Sequence, residues 1–210
     1  MLIPGLIEAL GKKLQWALPG IEAQKKMAPV PRSIPPFATT ENNATPSAVL
    51  ILLFPKNDSW FFILTERSSQ VEHHQGQVSL PGGAQEDGES LRETALRETE
   101  EELGIDIENV SVLGPLTPLF IPMSGFIVHP FVGWTKSQPE IQPDPVEVIA
   151  VPIVSIDQLL APENIKREKR KHRGIEVDIP FFDFEKAKVW GATAMILSEF
   201  REILHSVVST

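Results

Sequence analysis

Three glutamates near the middle of the chain, Glu98, Glu101 and Glu102, are spaced so that one face of a helix would carry all of them. At about 100° per residue they fall within an arc of roughly 100°. Like charges at this spacing repel, and the helix dipole disfavours them further near a C-terminal end. A hard divalent cation would offset that cost, and Mg²⁺ also binds phosphate oxygens. The cluster therefore indicates either a metal site suited to phosphoryl chemistry or a solvated acidic surface.

The neighbouring residues predict the helix that would carry these side chains. Ser90 and Glu93 form a capping-box pattern, so the helix is expected to begin near Ser90. Gly104 suits the position just past the helix end. Small and apolar residues occupy the arc beside the glutamates and are predicted to face the core. They are Ala95, Leu96, Thr99 and Leu103.

The stretch GAQEDGESLRETALRETEEELGI (83–105) resembles the Nudix box, G-x5-E-x7-R-E-U-x-E-E-x-G-U, in which U is apolar. Every fixed position matches, and Thr99 replaces a bulkier residue at one U position. The matching residues are Gly83, Glu89, Arg97, Glu98, Glu101, Glu102, Gly104 and Ile105. The resemblance implies a Nudix hydrolase of the α/β class. The implied fold is an α/β/α sandwich with a mixed sheet and a loop–helix–loop catalytic motif.

The same resemblance implies a role for each matched residue. The metal ligands would be Glu98, Glu101, Glu102 and the carbonyl of Gly83. They would hold Mg²⁺, with Mn²⁺ as a substitute, while water attacks one phosphorus of a diphosphate. Of the remaining catalytic residues, Glu89 would pair with Arg97 and keep the motif rigid.

The general base stays open at this point. One of the box glutamates could serve, and Glu147 is the alternative because it begins the predicted strand 146–153. An exposed glutamate at a strand start is equally common without any catalytic role.

Residues 63–83, ILTERSSQVEHHQGQVSLPGG, resemble the upstream signature of the coenzyme A pyrophosphatase branch. The resemblance implies cleavage of coenzyme A or acyl-CoA into 4′-phosphopantetheine, or its acyl form, and 3′,5′-ADP. It also implies substrate contacts from Arg67, Ser68, Gly82 and Gly83. Glu72 stands where the branch has arginine. This charge reversal keeps open a second substrate class, ADP-ribose or another nucleoside diphosphate derivative. A ligand-sensing module without catalysis is the third alternative.

The composition excludes or disfavours several other functions. The chain has no cysteine, so disulfides, thiolate metal sites and cysteine nucleophiles are excluded. A net charge of −9 disfavours a nucleic-acid groove, which needs a basic face. No run approaches the ~18 apolar residues of a membrane span. We therefore expect a cytoplasmic protein whose partner is a small nucleotide-derived diphosphate, with no nucleic-acid or membrane partner.

Apolar spacing predicts an N-terminal helix over 2–18, ended by Pro19-Gly20, and a second short helix over 21–27. The prolines that follow indicate an extended connector. Residues 1–36 are thus predicted to be a helical extension, and residues 37–210 the Nudix domain. The apolar first helix could support a homodimer.

Alternating and continuous apolar runs predict the remaining elements. The predicted strands are 47–54, 60–67, 110–116, 126–134 and 146–153. A short helix is expected around Leu159-Leu160, and an amphipathic helix around 196–207. The basic run 166–174 is predicted to be an exposed loop. It could contact the 3′-phosphate of coenzyme A or simply be solvated.

Overall fold

A computed structural model describes residues 5–30, 44–67, 77–172 and 175–208, without the side chains of 172 and 175. The helices in these ranges are α1 (Leu6–Lys13), α2 (Gly20–Gln24), α3 (Leu91–Leu103), α4 (Ile156–Leu160) and α5 (Gly191–Val208). Short 3-10 turns cover Lys25–Met27, Ile107–Asn109 and Pro162–Asn164. The strands are β1 (Thr45–Lys56), β2 (Ser59–Ile63), β3 (Thr65–Arg67), β4 (Val78–Ser79), β5 (Gly82–Ala84), β6 (Ser111–Pro115), β7 (Leu119–Ile121), β8 (Phe126–Trp134), β9 (Val148–Ala150), β10 (Ile153–Ser155), β11 (Ile165–His172), β12 (Ile175–Phe184) and β13 (Ala187–Trp190).

The central sheet is mixed and is built around β1. Its strand order is β10-β2-β1-β8-β6, with β5 also paired to β1 and β7 to β8. The β1–β8 pairing is parallel, whereas β1 and β2 form an antiparallel hairpin. The hairpin turn places Asn57 and Asp58 at positive φ, which Asn and Asp tolerate better than most residues. Residues 50–54 of β1 are fully buried, as expected for a strand covered on both faces.

Helices cover both faces of this sheet. On one face α3 packs Ala95 and Leu103 against Leu50 and Leu52 of β1. On the other face, Ile51 and Leu53 of β1 lie in a cluster with residues of α1 and α5. The predicted α/β/α sandwich with a mixed sheet is therefore confirmed.

The predicted strand 60–67 was wrong in one respect, because the chain changes sheets within it. β2 belongs to the central sheet, whereas β3 pairs with β4 and β9 in a separate small sheet. The change occurs at Leu64, whose N–H donates to the carbonyl of Pro152 at 2.9 Å. The predicted strand 146–153 is divided in the same way into β9 and β10. Leu64 is itself buried, so the apolar run continues through the break and conceals it.

The basic run 166–174 is not a loop over its described part, and this prediction was wrong. Residues up to 172 form β11, which pairs with β12, and β12 pairs in turn with β13. Opposite charges across the hairpin explain why so polar a strand forms. Lys169 pairs with Glu176 at 2.8 Å, and Arg167 pairs with Asp178 at 2.7 Å. The apolar periodicity of β11 is weak, so charge pairing across strands replaces it as the organising pattern.

The N-terminal helix is shorter than predicted: α1 ends at Lys13, and a turn follows. The second helix agrees well, since α2 and the 3-10 turn Lys25–Met27 occupy residues 20–27. Leu6, Leu10 and Leu14 pack into the core with α5. The apolar face of the helix that could support a homodimer therefore packs within the chain, and a homodimer stays a prediction. The boundary at residue 36 lies in 31–43, outside the described residues, and stays a prediction.

Among the described residues, no helix combines the length and the hydropathy that crossing a bilayer requires.

Candidate active site

The acidic helix α3 begins and ends as its sequence predicts. The Glu93 N–H donates to Ser90 Oγ at 3.3 Å, and the Ser90 N–H donates to Glu93 Oε2 at 2.7 Å. At the other end Gly104 adopts φ +63°, and its N–H donates to the Glu100 carbonyl. The capping box and the glycine end are thus confirmed. Together they fix the last two turns, where the glutamates lie.

The glycine loop before α3 lies directly against one of these glutamates. Gly82 has φ +147° and sits so close to β1 that an added Cβ would overlap the Ala48 carbonyl. A Cβ at Gly83 would overlap the carboxylate of Glu98. Gly82 therefore requires glycine, whereas a Cβ at Gly83 would have to displace the end of the Glu98 side chain. The structure brings the backbone of Gly83 and the Glu98 side chain together, as a shared metal shell would need.

Arg97 joins the loop to the helix. Its Nε and Nη2 donate to the two carboxylate oxygens of Glu89 at 3.1 and 3.0 Å, and Nη2 also donates to the Ala84 carbonyl at 3.1 Å. This fork holds the pKa of Glu89 well below its usual range, at about 2, with a further contribution from the Glu86 N–H. The pKa of Arg97 is raised in return. The predicted Glu89–Arg97 pair is present in the structure.

Two residues that the sequence analysis did not single out complete the grip on Glu89. The buried hydroxyl of Thr94 donates to Glu89 Oε1 at 2.8 Å. The side chain of Gln85 donates to the Glu89 carbonyl at 2.6 Å. A signal for Thr94 was available, because it projects at roughly 40° from Glu98 on the helical wheel. The spacing alone did not show that its hydrogen-bond partner would be Glu89, which lies in the loop before the helix.

Glu102 and Glu98 carry the most perturbed carboxylates of the site. The side chain of Glu102 is 2% exposed and that of Glu98 is 16% exposed. Burial raises the pKa of Glu102 to about 7, and the charges of Glu98 and Glu147 add to the rise against the opposing effect of Arg67. The pKa of Glu98 is also raised, mainly by burial. Two carboxylates that affect each other's charge thus lie in a place that disfavours negative charge.

Glu101 differs from the other two helix glutamates, since its side chain is 59% exposed. It contacts Arg97 Nη1 at 2.7 Å, and Glu98 contacts the same atom at 3.0 Å. Within the described ranges, no three His, Asp or Glu side chains converge as a ready set of metal ligands. The three glutamates nevertheless lie on one side of the helix, with Arg97 between two of them.

The residues present fit a hard divalent cation. Glu102 Oε2 is buried and has no hydrogen-bond partner among the described residues. Its other oxygen receives one long contact, 3.4 Å from Arg67 Nη2. A buried carboxylate oxygen without a donor is costly, and a divalent cation with oxygen ligands would satisfy it. Glu98, Glu102 and the adjacent Gly83 backbone supply the donor types that Mg²⁺ prefers.

The structure also brings two other candidate residues to this site. Arg67 ends β3 and pairs in register with Val148, so the neighbouring Glu147 lies at the same end of the small sheet. The charge of Glu147 raises the pKa values of both Glu98 and Glu102. Glu147 is exposed and lies just before β9. Ser68 and Glu72 lie outside the described residues, and their predicted roles stay predictions.

In this α/β/α sandwich a glycine loop lies against the capped, acidic helix α3. The loop and the helix together form a loop–helix–loop motif on the mixed sheet. A model of the NUDIX domain matches residues 44–173, more than half of the 210 residues. The chain belongs to the Nudix family.

The relatives agree with this assignment. The chain is 38% identical over 175 residues to Nudix hydrolase 15, mitochondrial, of Arabidopsis thaliana, covering 79% of this chain and 61% of that protein. It is 38% identical over 143 residues to the uncharacterized Nudix hydrolase NudL of Pectobacterium atrosepticum, covering 65% of this chain and 71% of that one. The chain thus spans under two thirds of the plant relative.

A solved structure resembles the fold. The Nudix hydrolase RenU of M. smegmatis aligns with a TM-score of 0.56 at 17% identity, covering 77% of this chain and 86% of that one. At this identity the likeness concerns the fold alone.

Proposed function

We propose that this protein hydrolyses a diphosphate bond with the help of a divalent cation, and that its substrate is coenzyme A or an acyl-CoA. The products would be 4′-phosphopantetheine, or its acyl form, and 3′,5′-ADP. The observation that carries the reaction is Glu102. This carboxylate is 2% exposed, has one oxygen without a partner among the described residues, and is affected by the charge of a second, largely covered carboxylate, Glu98. Such a pair is costly unless it binds a cation.

Each residue of the site has a definite task in this reaction. Glu98, Glu102 and the Gly83 carbonyl would hold Mg²⁺, or Mn²⁺ in its place, with Glu101 as the outer ligand. When bound, the cation stabilises negative charge on the phosphate oxygens. Arg97 keeps Glu98 and Glu101 on the side of the helix that meets the glycine loop.

Two residues outside the acidic helix act on the reacting groups themselves. Arg67 orients a phosphate through its guanidinium, which suits paired oxygens. Glu147 is our choice of general base because it is exposed to water and close enough to raise the pKa values of both Glu98 and Glu102. A general base must come within hydrogen-bond reach of the attacking water, and an exposed carboxylate at the edge of the site can do so.

The substrate rests on the segment upstream of the box. Leu64, Thr65, Arg67, Val78 and Pro81 match the coenzyme A pyrophosphatase signature. Arg67 lies 3.4 Å from Glu102, which supports a direct contact with the diphosphate. Glu72 is the feature that favours the second candidate, ADP-ribose or another nucleoside diphosphate derivative.

The first experiment measures release of 3′,5′-ADP from coenzyme A with and without Mg²⁺, beside ADP-ribose at equal concentration. We expect strong Mg²⁺-dependent cleavage of coenzyme A and little of ADP-ribose. Cleavage of ADP-ribose alone would keep the reaction and reject the substrate. No turnover on a broad panel of diphosphates would reject the enzyme and favour a ligand-sensing module.

A further inference from the structure

The outward face of the sheet β11–β12–β13 carries cations above aromatic rings. Side chains alternate along strands, and the registers of β11–β12 and β12–β13 place one set on a single face. We call this set the hairpin face. Its members are Lys166, Glu168, Arg170, Val177, Ile179, Phe181, Asp183, Lys188 and Trp190. The opposite face of β12 and β13 packs Phe182 and Val189 into the core.

The hairpin face holds Arg170 in a defined position. Its guanidinium lies 5.3 Å from the centre of the Trp190 ring, and its Nε lies 2.5 Å from Glu168 Oε1. The Trp190 ring packs against the guanidinium, and the Glu168 carboxylate pairs with its Nε, so two contacts hold the guanidinium in position. The side chain is still 46% exposed. An arginine that is both fixed and exposed is prepared to bind a ligand at little cost in conformational entropy.

Lys188 shares the same carboxylate. Its Nζ lies 2.5 Å from Glu168 Oε2 and 4.0 Å from the centre of the Phe181 ring. Arg170 and Lys188 carry two positive charges and Glu168 carries one negative charge, so these three side chains have a net charge of about +1. The chain as a whole has a net charge of −9. A local positive charge on such a protein attracts anions that the rest of the surface repels.

The C-terminal end of β13 and the backbone of Arg67 both lie against Gln77. β13 ends at Trp190 and runs directly into Gly191, where an added Cβ would lie 3.7 Å from Gln77 Nε2. The carbonyl of the same Gln77 accepts from the Arg67 N–H at 3.2 Å. Arg67 in turn contacts Glu102. Gln77 therefore lies between the residue that follows β13 and the backbone of the arginine that we assign to the diphosphate.

We infer that Arg170 and Lys188 form a subsite for a phosphate monoester on the nucleoside part of the substrate. In the substrate proposed above, on which this inference rests, that group is the ribose 3′-phosphate of coenzyme A. Arginine suits a phosphate because its planar fork binds two oxygens together, and lysine adds a point charge. Glu168 and Trp190 are the positioning residues of this subsite. ADP-ribose has no such phosphate, so the subsite selects coenzyme A.

The experiment compares coenzyme A with 3′-dephospho-coenzyme A, which carries the same diphosphate. Arg170→Gln and Lys188→Gln should each lower kcat/KM for coenzyme A roughly 5- to 20-fold, mainly through KM, as expected for one lost charge-assisted hydrogen bond. Turnover of 3′-dephospho-coenzyme A should change less than about twofold. Lys169→Gln is the matched control. It removes the same charge from β11, but Lys169 lies on the other face and pairs with Glu176.

Equal losses on both substrates, or no loss on coenzyme A, would overturn the subsite. Binding measured by calorimetry separates its failure from that of the proposed reaction, because it needs no turnover. The wild-type protein should bind 3′,5′-ADP more tightly than 5′-AMP, and Arg170→Gln should abolish the difference. If that preference is present while coenzyme A is not cleaved, the reaction is wrong and the subsite stands. If the preference is missing in the wild type, the subsite is wrong whatever the turnover.

Discussion

Glu102 is the residue at which stability and proposed activity conflict. A carboxylate that is 2% exposed and lacks a partner for one oxygen weakens the fold. A charged residue at this position is expected only if its charge has a function that a neutral residue could not provide. Metal binding is such a function, since the cation needs the negative charge that the fold disfavours.

Glu102→Gln tests this directly. The amide keeps the shape of the side chain and removes its charge, so the fold should persist while turnover falls by about 10²-fold or more at saturating Mg²⁺. Steady-state kinetics with matched circular dichroism spectra would measure both. Glu100→Gln is the control, because the same change on the exposed side of α3 should leave turnover intact. Comparable turnover in the two variants would remove Glu102 from the metal site.

Thr94 gives a second prediction at the scale of single residues. Thr94→Val keeps the β-branched shape and deletes the hydroxyl that donates to Glu89 at 2.8 Å. Glu89 would then hold Arg97 less firmly. We expect kcat to fall roughly 3- to 10-fold, the equivalent of one neutral-to-charged hydrogen bond. Thr94→Ser should restore it.

Thr99→Val is the control for that variant, since Thr99 is buried on the same helix but donates to the Ala95 carbonyl. A structural explanation would make both valine variants lose activity alike. A positioning role predicts loss only at Thr94.

The sequence predicted which residues form this site but did not predict how buried each of them is. Glu98 and Glu102 could be named because their spacing on a helix and the box pattern agree. Their unequal surroundings could not, since burial of Glu102 and exposure of Glu101 depend on β3, β5 and the segment before β9. Gln85 escaped notice because its contact with the Glu89 carbonyl is made by a loop conformation that no periodicity encodes.

At the scale of elements, the N-terminal segment is joined to α5 by a buried polar group. Glu199 is fully buried, and its carboxylate accepts from the Gly20 N–H, the Gln24 side chain and the Thr117 hydroxyl at 3.1, 2.9 and 2.6 Å. The Ser198 hydroxyl adds a bond to the Ala23 carbonyl at 2.7 Å. These contacts hold α2 on α5, away from the acidic helix.

Removing that carboxylate should therefore affect the fold and spare the chemistry. Glu199→Ala removes the shared acceptor of three donors, the buried Gln24 side chain and the partly buried Gly20 N–H and Thr117 hydroxyl, and is expected to reduce the free energy of unfolding by about 2–4 kcal/mol. Ser198→Ala, which removes one bond, should cost about 1 kcal/mol. Urea unfolding measures both, and Glu199→Gln serves if the alanine variant does not fold. KM should stay at the wild-type value, and a loss below that of Ser198→Ala would show that the cluster does not hold the segment.

Elements with strong local signals were the ones that the sequence predicted well. α3 has a capping box, an apolar arc and a glycine end, and its bounds agree to within one residue. β11 has none of these. Its stability comes from β12, whose acidic residues lie about ten positions further along, so pairing decided what local periodicity did not. The division of 60–67 into β2 and β3 likewise depends on Pro152, far away in the chain.

At the scale of the whole molecule, the metal-free protein should lose stability as pH rises through the range where Glu102 ionises. The folded pKa of this group is about 7, above its ordinary value of 4.5. Between these values the folded state binds more protons than the unfolded state, so the free energy of unfolding falls with increasing pH and levels off above about pH 8. Glu98 shifts in the same direction. The pKa of Glu89 shifts the opposite way, but the stability that Glu89 contributes changes only below about pH 5 and is constant above it.

The difference between the wild-type protein and Glu102→Gln isolates this contribution. In a metal chelator the variant should be no more stable than the wild type near pH 4.5. It should become more stable by up to about 3 kcal/mol at pH 8, which corresponds to several degrees in Tm. Saturating Mg²⁺ should then raise the Tm of the wild type at pH 8 and reduce the advantage of the variant, because a ligand stabilises the state that binds it. If the two proteins keep parallel profiles of Tm against pH in chelator, Glu102 is not the carboxylate that the fold disfavours. If Mg²⁺ raises both Tm values equally, the cation binds elsewhere.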